Sequence, residues 1–129
     1  MERFIIDDLR KWKLSPRRKP LILNGARQVG KTWILREFGK LEYDNVAYLN
    51  CDEEPMAARL FEDYEISRIL RAIEALTHTR IVAGKTLIVI DEIQETPRGL
   101  HALKYFAENA PEQHIVVAGS LLEIGRAHV

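Results

Sequence analysis

The chain has 129 residues, 47% of them apolar and 29% charged, enough for one compact domain with an ordinary core. This balance excludes a disordered tail, a collagen-like repeat and a disulfide scaffold. With 19 basic and 19 acidic residues the net charge is zero, so nothing in the charge points to nucleic acid or to an anionic membrane surface.

The hydrophobic pattern alternates between helical and extended periods. Ile5, Leu9 and Trp12 fall on one face of a first helix. Ser15-Pro16-Arg17-Arg18-Lys19-Pro20 breaks it, because proline bars continuation and restricts its predecessor. The three consecutive cations there read as a solvated loop, with a phosphate or nucleic-acid contact as the alternative. Leu21-Ile22-Leu23 is a short apolar strand. Thr32 to Lys40 reads as a helix with Ile34, Leu35 and Phe38 turned inward, and Val46 to Leu49 as a second strand. Pro55 suits the first turn of a short helix running to about Glu62. Ile66, Ile69, Leu70, Ile73 and Leu76 line one face of a longer helix. Leu87-Ile88-Val89-Ile90 is a strand buried on both faces. Thr96-Pro97 caps and opens a helix carrying Leu100, Leu103 and Phe106, and Asn109-Ala110-Pro111 stops it. Ile115 to Ala118 is a fourth strand. Strands alternating with helices imply parallel pairing through crossovers, so the class is α/β.

Gly25-Ala26-Arg27-Gln28-Val29-Gly30-Lys31-Thr32 matches G-x-x-x-x-G-K-[ST] at every fixed position. A polyphosphate needs several donors converging on a small volume. A strand turning sharply into a helix supplies them as backbone N–H groups, and the helix N-terminus adds partial positive charge. Gly25 and Gly30 permit close approach, Lys31 offers a cation to the β- and γ-phosphates, and Thr32 offers a hydroxyl to Mg²⁺. The motif follows an apolar strand and opens a helical pattern, which is the setting this chemistry requires.

The third strand ends in Asp91-Glu92. Alone, two acids after a buried strand are weak evidence of anything. Paired with an upstream phosphate loop, Asp91 becomes a candidate to hold Mg²⁺ through water, and Glu92 a candidate to orient or deprotonate an attacking water. Parallel strands bring their carboxyl ends to one edge, where ligands bind.

These residues resemble the AAA-type P-loop ATPases often followed by a C-terminal domain of unknown function. The likeness runs from about Arg10 to Leu122. It rests on residues Lys19 to Thr32, on Asp91-Glu92-Ile93-Gln94-Glu95, on Leu103-Lys104-Tyr105-Phe106 and on Ala118-Gly119-Ser120-Leu121-Leu122. The resemblance implies a three-layer α/β P-loop fold with a mainly parallel sheet in the order second, third, fourth, first, fifth strand. The strand Ile115 to Ala118 would then lie between the two motif-bearing strands. Its end would bring Ser120 toward the γ-phosphate as a sensor-like residue, with a plain turn as the alternative. The chain departs from the pattern after Leu122, before the fifth strand, the lid and the extra domain. Without a fifth strand, Leu21-Ile22-Leu23 becomes an exposed apolar edge.

The expected organisation is an N-terminal helix and basic loop over residues 1–19, an incomplete ATP-binding core over 20–122, and a non-native tail over 123–129. Ile124-Gly125-Arg126-Ala127-His128-Val129 back-translates to ATC GGA AGA GCA CAC GTC. That matches a common adapter read-through, so the natural protein is expected to continue.

The remaining chemistry is thin. Cys51, the single cysteine, reads as a structural thiol in a reducing, cytoplasmic setting. His78, His101, His114 and His128 are scattered and read as surface or structural residues. Trp33 reads as packing within its helix, with a nucleotide contact as the alternative. The N-terminus has acids where a secretory signal needs an apolar core, and no apolar run approaches a bilayer span. The expected function is binding of ATP and Mg²⁺ and hydrolysis of ATP, coupled to the C-terminal domain, with a homo-oligomer or a protein partner left open. The alternatives are a switch that uses ATP occupancy without turnover, a small-molecule kinase, and a motor linked to nucleic acid, the last hinted at only by Arg17-Arg18-Lys19. The absence of an N-K-x-D stretch tilts the nucleotide toward ATP over GTP.

Overall fold

A computed structural model describes residues 2–24 and 29–120. In chain order it holds α1 (Glu2–Leu14), β1 (Leu21–Asn24), α2 (Val29–Glu42), β2 (Asn45–Asn50), α3 (Ala57–Leu60), α4 (Ile66–Thr77), β3 (Thr86–Asp91), a 3₁₀ turn (Ile93–Glu95), α5 (Pro97–Asn109) and β4 (His114–Gly119). Four strands form one all-parallel sheet in the order β1-β4-β3-β2. The expected order of the first four strands is therefore the observed one, with β4 inserted between β1 and β3.

Alternation along the strands divides the core into two layers. Leu87 and Val89 of β3, with Val116 and Ala118 of β4, face α1 and α2 and pack on Leu9, Ile34, Leu35 and Phe38. Ile88 and Ile90, with Ile115 and Val117, face the other side and pack on Phe61, Ile69, Ile73, Leu103 and Phe106. Every residue of β3 and β4 is buried, as central parallel strands covered on both faces must be. β1 lies at the edge, where Ile22 is 44% exposed. Among the described residues no strand pairs with the outer side of β1.

Three local expectations need correction. α3 starts at Ala57, so Pro55 lies in the preceding turn and not in a helix. The Asn50 side chain accepts from the N–H groups of Asp52 and Glu53, and Glu54 from that of Met56. Side-chain bonds of this kind hold the backbone in turns that compete with helix. Thr96 occupies the cap position of α5 with Pro97 following, yet its side chain makes no capping bond. Arg18 is not a free cation: it donates to the carbonyls of Lys13 and Pro111, tying the basic loop to the end of α1 and to the α5–β4 connection.

Among the described residues no helix is long and apolar enough to cross a membrane.

Candidate functional site

The C-terminal ends of the strands converge on one edge. Gly25, Ala26, Arg27 and Gln28 lie outside the described residues. The backbone of Val29 and Gly30 opens α2, and the next two side chains turn toward the end of β3.

Asp91 is the centre of this cluster and is 1% exposed. One carboxylate oxygen, Oδ1, accepts the Glu92 N–H at 2.9 Å and faces the Lys31 ammonium at 3.4 Å. The other, Oδ2, accepts the hydroxyls of Thr32 at 3.1 Å and Tyr48 at 2.5 Å. The Asp91 carbonyl accepts the Cys51 N–H. One cation and three donors thus offset the cost of burying this charge. The alternation that turns Leu87 and Val89 toward α2 turns Asp91 the same way.

Lys31 is the unsatisfied member. Its side chain is 12% exposed, and its buried ammonium has no aligned hydrogen-bond acceptor among the described residues. A buried donor left in this state is costly unless a ligand supplies the acceptor. Thr32 and Asp91 present two hard oxygens side by side, the kind of donor set that Mg²⁺ takes together with water and substrate phosphate. The residues present therefore fit both a polyphosphate and its metal.

Tyr48 was not singled out by sequence. Burial and its bond to Asp91 push the phenol up to about 12, which keeps the hydroxyl a donor. The Arg36 guanidinium lies over its ring at 4.2 Å. The only sequence signal was alternation in β2, which puts a phenol on the α2 face two residues before the strand end.

Glu92 is 8% exposed and has a left-handed backbone, with φ of 54°. Its Oε1 accepts the Gln94 amide at 2.7 Å, and the Gln94 Oε1 accepts the Ser120 N–H at 3.0 Å. Glu92 and Ser120, expected to share the site, are thus joined through Gln94, a residue quoted in the sequence motif without a role. Trp33 departs from expectation: it is 50% exposed and is not packed within the fold. Cys51 is 7% exposed, and burial followed by Asp91, Glu95 and Glu92 pushes its thiol up to about 12. A thiol so held is protonated and inert, as a structural cysteine should be.

The histidines do not join the site. His78 caps α4 in the left-handed region, His101 lies by Tyr64 and Tyr105, and His114 sits at the opposite end of the sheet. His128 lies outside the described residues. No three His, Cys, Asp or Glu side chains among the described residues form a metal-binding group.

A family model described as an AAA domain matches residues 17–128. No curated protein matches the chain.

Proposed function

Because the chain belongs to the AAA domain family, a nucleotide-binding family of ATPase type, we propose that it binds ATP with Mg²⁺ and hydrolyses it to ADP and phosphate. The observation that carries the proposal is the unsatisfied Lys31 ammonium beside the Thr32–Asp91 pair. A phosphate oxygen would give that ammonium the aligned acceptor it lacks among the described residues. The backbone of Gly25 to Gly30 would cradle the phosphates, as the motif's spacing requires. Thr32 and Asp91 would hold Mg²⁺, which when bound neutralises charge on the phosphates. Tyr48 keeps a hydroxyl on Asp91 and so fixes the carboxylate's orientation. Glu92, next after Asp91, would orient the attacking water and take its proton, and Ser120 would offer a polar group near the γ-phosphate. Asp91 ends β3, and Lys31 and Thr32 lie in the first turn of α2, so positioning and electrostatics would carry the catalysis. In the full-length protein, turnover would drive a following C-terminal domain in a cytoplasmic setting.

The test is a titration of the full-length protein with labelled ATP and GTP, with and without Mg²⁺, beside an assay of phosphate release. Lys31→Ala should abolish binding. Glu92→Gln should bind ATP and lose hydrolysis by roughly 10²- to 10⁴-fold. Parental turnover in Glu92→Gln would remove Glu92 as the base, and label appearing on a small acceptor would make the protein a kinase.

A further inference from the structure

We infer that Gln94 is a positioning residue: its amide holds the Glu92 carboxylate and ties it to the end of β4 at Ser120. The inference rests on the reading of Glu92 as the base.

The geometry uses both ends of one side chain. The Nε2 donates to Glu92 Oε1 at 2.7 Å, and the Oε1 accepts the Ser120 N–H at 3.0 Å. The reverse orientation of the amide would set an oxygen against a carboxylate oxygen and an N–H against an N–H, so the two bonds fix it. The backbone is shaped around this contact. Glu92 takes the left-handed conformation, which starts the 3₁₀ turn and returns Gln94 over the end of β4. On β4, a Cβ at Gly119 would lie 2.3 Å from Gln94 Oε1 and 3.0 Å from Ile93 N. Position 119 is therefore bare where the amide seats.

This brace spans the two neighbouring strands that carry Glu92 and Ser120. Gln94 acts through Glu92 and makes no claim on the nucleotide, so its loss should reduce turnover and spare affinity.

Gln94→Ala and Gln94→Glu in the full-length protein test this. The second variant is nearly isosteric and keeps the acceptor for Ser120, but it sets an acceptor of like charge against Glu92. Both should lower kcat about 10- to 100-fold, the scale of a misplaced catalytic group, with KM and ATP affinity unmoved. Gly119→Ala, which displaces the amide from the other strand, should lower kcat in the same way. In a Glu92→Gln background, Gln94→Ala should cost nothing further. A readout independent of turnover is hydrogen exchange at the Ser120 amide. Glu92→Ala should speed it when Gln94 is present and leave it unchanged once Gln94→Ala has been made.

A parental kcat in both Gln94 variants, with Glu92→Gln inactive, overturns the inference and leaves the base assignment standing. So does a Ser120 amide indifferent to Glu92→Ala. Parental hydrolysis in Glu92→Gln overturns the base assignment itself, and the inference with it.

Discussion

Asp91 shows how much one side chain can organise. Its two oxygens separate the surroundings into an ammonium and a backbone N–H on one side and two hydroxyls on the other. Removing the Tyr48 hydroxyl leaves Oδ2 with Thr32 alone, while a phenyl ring keeps the face on which Arg36 stacks. Tyr48→Phe should therefore cost roughly 1.5–3 kcal/mol, the range for hydrogen bonds to charged groups. On the proposed role of Asp91 in holding Mg²⁺, it should also raise the Mg²⁺ concentration needed for half-maximal turnover, since an outer partner of a ligating carboxylate tunes the metal. Urea unfolding and a Mg²⁺ titration check the two effects, and an unchanged unfolding midpoint would remove Tyr48 as a support of Asp91. That Lys31, Thr32 and Asp91 would come together was legible because a phosphate-loop pattern dictates residue type and spacing together. Tyr48 was not, because a phenol in a strand looks like any half-buried aromatic until its neighbour across the sheet is known. Trp33 misled for the converse reason: a large aromatic beside inward residues is not obliged to be buried.

At the scale of elements, the sheet depends on how closely α2 lies on it. Gly39 sits where a Cβ would come 2.2 Å from Val46 Cγ2 and 3.3 Å from Leu87 Cδ2. Gly39→Ala gains up to about 1 kcal/mol of helix propensity, but it forces the helix from β2 and β3, an overpacking typically worth ~1–3 kcal/mol. The net effect should be a loss of stability in denaturant unfolding, partly restored by Val46→Ala in the double variant. A stabilised single variant would show that the helix can move away freely. The buried strands and α4 were readable because apolar composition and a sustained 3.6-residue period leave few alternatives. The start of α3 was not, because the side chains of Asn50 and Glu54 claim backbone donors that a proline rule ignores.

Across the whole molecule, the end of the sheet remote from Asp91 carries a different assembly. His114, 6% exposed, meets the Tyr43 hydroxyl through Nδ1 at 2.6 Å and the edge of Trp12 at a ring separation of 6.0 Å. Trp12 donates to the Lys19 carbonyl, and Arg10 pairs with Glu42, so α1 is fastened there to α2 and the basic loop. Burial, then Arg18 and Lys13, lower His114 from its ordinary 6.5 to about 4. The folded protein therefore binds a proton less readily than the unfolded chain. The stabilisation is complete above about 6.5 and is lost as pH falls from there toward 4, by up to about 3 kcal/mol. Thermal unfolding of parent and His114→Gln across this range should show a shallower acid decline in the variant, and equal slopes would clear His114 of the effect. The strand order followed from the family resemblance. The Arg18–Pro111 tie did not, because its partners are 93 residues apart and one of them is a carbonyl that every residue possesses. Six-residue strands place the two ends about 20 Å apart. The Asp91 end and the His114 end of the sheet are accordingly separate regions of the protein. A dye, surface tether or purification graft on the outer face of α1 should leave the proposed phosphate end unobstructed, and changes made at one end should add to those made at the other.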